Sequence, residues 1–143
     1  MANIGELVSV PWIDEELVRV EAALRQSVTA DDPYLTEIAG HLLAAGGKRL
    51  RPALAVLAAV AGGGTASDDV VMGGVSVELV HLGSLYHDDV MDEASTRRAV
   101  PTVNARWGHL VASLAGDFLL ARASEIAPWL GTEVAAFLAR TIG

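Results

Sequence analysis

A long apolar stretch, from about Asp68 into the nineties, constrains this chain more than any other segment. Ser67 followed by Asp68 and Asp69 marks it as a helix start. Val, Leu and Tyr are prominent along it, and Pro101 closes the region. Along one stripe of the same helix stand His81, Ser84, Asp88 and Asp92. Unpaired charge is costly in a core, so this stripe is expected to face a cavity. Gly73, Gly74 and Gly83 interrupt the helix, each at about 1 kcal/mol relative to alanine, and close packing or an open cavity is the expected compensation.

The rest of the chain shows helical rather than alternating periodicity, and about one residue in six is alanine. The expected fold class is all-α. A first helix spans about 14–26, with Asp14 as N-cap and Leu17, Val20, Ala23 and Leu24 on one face. A second starts at Pro33 behind Asp32, presents Leu35, Ile38, Leu42 and Leu43, and stops at Gly46-Gly47. The third, near 51–61, is apolar nearly all round and is expected to be central. Shorter helical stretches follow at about 103–107, 110–126 and from Glu133 onward, the last reading as cut rather than finished.

Composition excludes several classes. The 143 residues carry 10 Lys+Arg against 18 Asp+Glu, a formal charge of −8, which disfavours gripping a nucleic-acid backbone. With 52% hydrophobic and 20% charged residues the chain can build a core, so disorder is excluded. The absence of cysteine rules out disulfides, thiolate nucleophiles and Cys-bound zinc, and is compatible with a cytoplasmic location. The first residues lack a basic stretch followed by an apolar core, so no secretion signal is expected. The run Pro52 to Ala61 is too short for a bilayer, and Val70 to Tyr86 contains Glu78 and His81, so no transmembrane segment is expected.

Two charge clusters stand at the wrong helix ends. Lys48, Arg49 and Arg51 lie where an apolar helix begins, although the macrodipole makes that end positive; an anion such as phosphate would relieve the conflict. The alternative is a solvated basic turn. Asp88, Asp89, Asp92 and Glu93 lie toward a helix C-terminus, and Asp88 and Asp92 repel each other at i,i+4. A divalent cation would relieve this, and oxygen-only ligands suit Mg2+ sharing its shell with substrate phosphates. The alternative is an Arg97–Glu93 pair at i,i+4 beside solvated aspartates.

These residues resemble the trans-isoprenyl diphosphate synthases, or polyprenyl synthetases. The resemblance rests on Gly46-Gly47-Lys48-Arg49-Leu50-Arg51-Pro52, on Glu78-Leu79-Val80-His81, and on Asp88-Asp89-Val90-Met91-Asp92 followed by Arg97-Arg98. Pro101-Thr102 and Gly116-Asp117-Phe118-Leu119-Leu120 continue it in order, and the match covers most of the chain from about Tyr34. It implies the N-terminal portion of a helical bundle around a deep cavity, and head-to-tail condensation of isopentenyl diphosphate with an allylic diphosphate. The implied cofactor is Mg2+, held by Asp88 and Asp92, with Asp89 supporting the site and Arg97 on the allylic diphosphate. Lys48, Arg49, Arg51, His81 and Arg98 are implied for the isopentenyl diphosphate. Gly83 and Ser84, just upstream of Asp88, are the implied chain-length positions; their small size points to a product longer than farnesyl diphosphate.

Ala99 stands where the family usually has glycine, a change expected to affect little beyond turn flexibility. Family members also run to about twice this length, with a second aspartate-rich motif that is missing from this sequence. The chain therefore reads as the N-terminal half, 1–143, of one polyprenyl synthetase domain, inactive alone and associating as a homodimer or with a chain supplying the other half. The alternatives are a non-catalytic or regulatory subunit of a heteromeric synthase and, less well matched by Lys48, Arg51 and His81, a terpene cyclase fragment.

Overall fold

A computed structural model describes residues 10 and 12–142. Residues 1–9 and 11, read above for a leader, lie outside the described residues, as does residue 143. Described elements are α1 (Ile13–Ser27), α2 (Pro33–Ala39), α3 (His41–Ala44), α4 (Leu50–Ala61), α5 (Asp68–Met91), β1 (Thr96–Arg97), β2 (Val100–Pro101), α6 (Val103–Trp107), α7 (His109–Ile126), a 3-10 turn (Ala127–Leu130) and α8 (Thr132–Ile142). The fold is all-α apart from one small hairpin.

Helix starts follow local chemistry. Ser67 caps α5, its hydroxyl accepting from the Val70 amide at 3.3 Å, and Asp32 caps α2 by accepting from the Tyr34 amide at 2.8 Å. Helix α1 departs from expectation. It begins at Ile13 with Trp12 in the cap position and no side-chain cap bond, so Asp14 lies in the first turn, where its charge suits the positive end of the helix.

Helix α5 occupies the centre, packed against α1, α4, α6 and α7. Val71, Val75, Leu79, Leu82 and Tyr86 are buried along it, joined by Val20 and Leu24 of α1 and Ala112, Ala115, Leu119 and Ala123 of α7. Helix α4, expected to be central, is instead a flank. Only Pro52, Ala53 and Val56 are buried, while Leu54 is 54% exposed, because α5 already fills the middle and α4 meets it along one narrow stripe.

The glycines of α5 serve close packing. A Cβ on Gly74 would lie 2.9 Å from Pro52 Cα, and one on Gly83 would lie 3.0 Å from the Gly116 carbonyl and 3.2 Å from Leu120 Cγ. Gly83, an implied chain-length position, sits inside the α5–α7 crossing, so close packing is the compensation here.

The second expected helix is also corrected, because it breaks at Gly40 into α2 and α3. Buried Tyr86 provides the reason: its hydroxyl lies 2.8 Å from Ile38 O and 3.0 Å from Ala39 O, and it accepts from the Leu42 amide at 3.4 Å. A continuous helix would pair the Leu42 amide with the Ile38 carbonyl, so the phenol stands in for that bond. Burial pushes the Tyr86 hydroxyl far above the usual phenol range, which keeps it a neutral donor. Tyr86 thus holds α2 and α3 together.

The hairpin was not foreseen. Thr96 pairs with Pro101 and Arg97 with Val100, and Arg98 (φ 52°) and Ala99 (φ 63°) form the two-residue turn, both left-handed. Its far end is tied down by Thr102 Oγ1 and Asn104 Nδ2, which donate to Ala94 O at 2.7 and 2.9 Å.

Tyr86→Phe removes the one donor facing the Ile38 and Ala39 carbonyls and the acceptor of the Leu42 amide, and is expected to cost about 1–3 kcal/mol. Thermal unfolding checks this; an unchanged midpoint would refute the splint role.

Candidate functional site

The basic loop between α3 and α4 divides its cations into two groups. Gly46 (φ 88°) and Arg49 (φ 48°) are both left-handed, a conformation costing a non-glycine residue roughly 1–2 kcal/mol. Arg49 turns inward and is 7% exposed. Its Nε and Nη2 donate to Glu21 at 2.8 and 3.2 Å, Nη2 also donates to Leu43 O at 3.1 Å, and Nη1 lies 3.5 Å from Glu78 Oε1. Arg49, expected on a substrate, is thus committed to the half-exposed Glu21 and the buried Glu78. Arg98 enters from the hairpin and donates to Leu42 O at 3.0 Å and to Gly46 O. Lys48 and Arg51 remain exposed.

Beside this loop a cleft of about 490 Å³ is lined by Arg51, His81, Ser84, His87 and Asp88, with Val77, Val80 and Leu120 as its apolar wall. The structure so brings together Arg51, His81, Ser84 and Asp88; Lys48, Arg49, Gly83, Asp92, Arg97 and Arg98 are not on its lining. The Ser84 hydroxyl donates to His81 O at 2.8 Å, so it closes on its own helix. Burial, and then Arg51, Arg98 and Arg97, hold the His81 imidazole below its usual range. Buried Glu78, behind the same wall, is pushed up by burial, an effect opposed by Arg49, Arg51 and Arg98.

The acidic end of α5 closes with a Schellman arrangement. The Ala94 amide donates to Asp89 O at 2.9 Å and the Glu93 amide to Val90 O at 3.3 Å, with Glu93 left-handed at φ 50°. Asp92 is the C-cap residue. Asp89 is 1% exposed; Arg97 Nε donates to its Oδ1 at 2.7 Å, and its Oδ2 is buried without a hydrogen-bond partner. Arg97 therefore pairs with Asp89, not with Glu93. Among the described residues no hydrogen bond or ion pair engages the carboxylates of Asp88 and Asp92. Among the described residues no group of three or more His, Asp or Glu side chains is gathered to hold a metal. Two unengaged carboxylates one turn apart form an incomplete, oxygen-only donor set; this fits a hard cation such as Mg2+, which takes few protein ligands and completes its shell with water and phosphate oxygens.

Comparison with known proteins decides what this arrangement belongs to. The family described as Polyprenyl synthetase matches residues 32–142. The chain belongs to that family. It is 41% identical over 139 residues to a nonaprenyl diphosphate synthase of Mycobacterium tuberculosis, covering 97% of this chain and 42% of the relative. It is 41% identical over 132 residues to heptaprenyl diphosphate synthase component 2 of Geobacillus stearothermophilus, covering 92% and 41%. Among solved structures, a polyprenyl synthase from Caulobacter crescentus complexed with calcium and isoprenyl diphosphate superposes with a TM-score of 0.87 at 34% identity, covering 93% of this chain and 40% of that one. A geranylgeranyl pyrophosphate synthase from Corynebacterium glutamicum, also with calcium and isoprenyl diphosphate, gives 0.79 at 45% identity, with 96% and 41% covered. This polyprenyl synthetase chain thus spans about 42% of the length of the nonaprenyl relative.

Several contacts around the cleft were not read from the sequence, even where the residue lies in a quoted motif. Glu21 on α1 and Glu78 on α5 are the counter-ions of Arg49, and nothing in their local sequence marks that pairing. The His87 ring rests on Gly116, where a Cβ would lie 2.6 Å from its Nε2, and the same nitrogen lies 3.2 Å from both Asp117 Oδ1 and Ser113 O. The Gly116-Asp117 pair therefore seats a residue of the cleft. His41 packs as an ordinary structural residue, its ring edge-on to Trp107 at 5.1 Å and Nε2 2.7 Å from Pro101 O. Trp129, on the 3-10 turn, is 90% exposed.

The hairpin turn generates a stability prediction, because Ala99 occupies left-handed space for which glycine has no steric penalty. Ala99→Gly is expected to raise stability by roughly 0.5–1 kcal/mol, the relief of strain exceeding the greater freedom of the unfolded chain. A higher denaturant midpoint at unchanged slope checks it; a lower midpoint would contradict the left-handed turn.

Proposed function

We propose that residues 1–143 form the N-terminal half of a polyprenyl synthetase domain whose reaction condenses isopentenyl diphosphate with an allylic diphosphate in trans. The observation that carries this is the cleft where the exposed Arg51 of the basic loop, His81 and Asp88 converge. In this reading Lys48, Arg51 and His81 hold the isopentenyl diphosphate. Arg97 meets the allylic diphosphate with its two terminal nitrogens, since only Nε is engaged by Asp89. Asp89 acts as the buried anchor of Arg97. Arg49 and Arg98 add positive potential from beneath the loop.

Asp88 and Asp92 would hold Mg2+, which when bound neutralises charge on the diphosphate. The allylic C–O bond breaks with its electron pair leaving on the diphosphate, and the isopentenyl double bond attacks the resulting cation. A proton is then lost to the departing diphosphate. Fixed cations favour this step because negative charge develops where they already point. The apolar wall of Val77, Val80 and Leu120 gives the chain a greasy flank, and Ser84 leaves room beside it. The relatives named for nonaprenyl and heptaprenyl diphosphates support a product longer than farnesyl diphosphate.

The reading requires a second wall, from a partner chain or a second copy, and keeps the work in the cytoplasm. Among the described residues no helix is long and apolar enough to cross a membrane. A second reading is a non-catalytic or regulatory subunit of a heteromeric synthase; the likeness to heptaprenyl diphosphate synthase component 2 supports its heteromeric part alone.

Labelled isopentenyl diphosphate, Mg2+ and a range of allylic primers separate the two readings. The catalytic reading expects product only when a C-terminal half is supplied, and no product in either case favours the subunit. For the isolated chain, inorganic pyrophosphate is expected to bind in a Mg2+-dependent way by calorimetry, and Asp88→Asn is expected to weaken it at least about tenfold. Stability carries a second signature. His81 is held low in the folded chain, so the unfolded chain takes up its proton first, and stability falls as pH drops through about 6.5. His81→Asn is expected to flatten that part of the profile in thermal melts from pH 8 to 5.

A further inference from the structure

The basic loop has few backbone bonds of its own. At the end of α3, the Leu43 carbonyl accepts from the Gly46 amide at 3.1 Å and also from Arg49 Nη2; the Leu42 carbonyl accepts from Arg98 Nη1, and the Gly46 carbonyl from Arg98 Nη1 and, at 3.5 Å, from Arg49 Nη1. Carbonyls left open where a helix stops need donors, and here two guanidiniums from different elements supply them. The fit is tight: a Cβ on Gly47 would lie 2.7 Å from Arg49 Nη1 and 3.0 Å from Arg98 Nη1. The course of the loop, and with it the direction of Lys48 and Arg51, therefore depends on where the Arg49 guanidinium is held.

Two carboxylates hold it. Glu21 grips Nε and Nη2 from α1 on the half-exposed side. Glu78 lies on the buried side, 2% exposed, with Oε1 3.5 Å from Nη1 and Oε2 without a hydrogen-bond partner. A carboxylate at that depth costs free energy unless a cation faces it. Glu78 also lies three residues before His81 on the central helix, so it ties the loop to the helix that carries the rest of the cleft.

We propose that Glu78 is a positioning residue which, acting through Arg49, sets the basic loop so that Lys48 and Arg51 present their charges to a diphosphate. This rests on the diphosphate reading of the cleft. The competing physical effect has the opposite sign: Glu78 is a negative group close to the cations, so if it acted only as a charge, its removal would strengthen anion binding.

The test uses the 143-residue chain, Mg2+ and inorganic pyrophosphate in calorimetry, with Glu78→Gln, Arg49→Gln and the double variant. Each single change is expected to weaken binding about tenfold at unchanged helical content, and the double variant to bind no worse than the weaker single, because the two groups act in series. The Arg49 Nε–H resonance is expected to broaden in Glu78→Gln. Unchanged or tighter binding in Glu78→Gln, or additive losses in the double variant, would overturn the proposal while leaving the cleft reading intact. Absence of pyrophosphate binding by the unaltered chain would remove both. Should Glu78→Gln fail to fold, Glu21→Gln probes the same guanidinium from its solvent side. A loss in the same direction supports the proposal, and unchanged affinity rejects it.

Discussion

Close backbone approach around α5 is the constraint on which the rest of the structure depends. Gly74 lets α4 touch the helix at Pro52, and Gly83 lets α7 touch it at Gly116 and Leu120. Both contacts fall where a Cβ would collide, so both neighbours lie nearer the central axis than larger residues would allow. That proximity buries Val75, Leu79 and Leu82 and leaves the His81–Ser84–Asp88 stripe on the cleft. The apolar core and the polar rim are consequences of the same packing.

The charge clusters show a second regularity. Left-handed non-glycine residues among those described are Arg49, Glu93, Arg98 and Ala99, and all lie in the three turns that border the site. Strained backbone persists where surrounding contacts over-determine it. Arg49 is held by Glu21 and Glu78, Glu93 by the Schellman bonds, and the Arg98–Ala99 turn by the hairpin and the Arg98 contacts to the basic loop. Each strained turn aims a neighbour: Lys48 and Arg51 beside Arg49, Asp92 beside Glu93, and Arg97 beside Arg98.

Much of this was legible from residue order. The helices at 68–91, 103–107 and about 110–126 follow from caps, periodicity and glycine or proline stops, all of which act over a few residues. Arg51 and Asp88 stood out as charges at helix ends that disfavour them, His81 shared a helix stripe with Asp88, and the family resemblance implied that Arg51 and His81 act together. What escaped notice involves partners distant along the chain. The break at Gly40 depends on the hydroxyl of Tyr86, and the burial of Arg49 depends on Glu21 and Glu78. The central role given to the helix near 51–61 failed for a related reason: apolarity shows that a helix wants cover, and only packing shows which helix is covered on every side.

The sequence by itself determined the all-α class and most of the helix boundaries, because propensity and capping are local properties, and its ordered motifs carried the resemblance to the family. The tertiary structure alone decided which cations face outward. Lys48 and Arg51 stay exposed while Arg49 and Arg98 turn in, since a guanidinium takes the inward place only where carboxylates and orphan carbonyls from other elements meet it. It likewise decided that Gly83 serves a helix crossing and that Arg97 pairs with Asp89. Those outcomes rest on distances between segments far apart in the chain, which folding sets and residue order does not record.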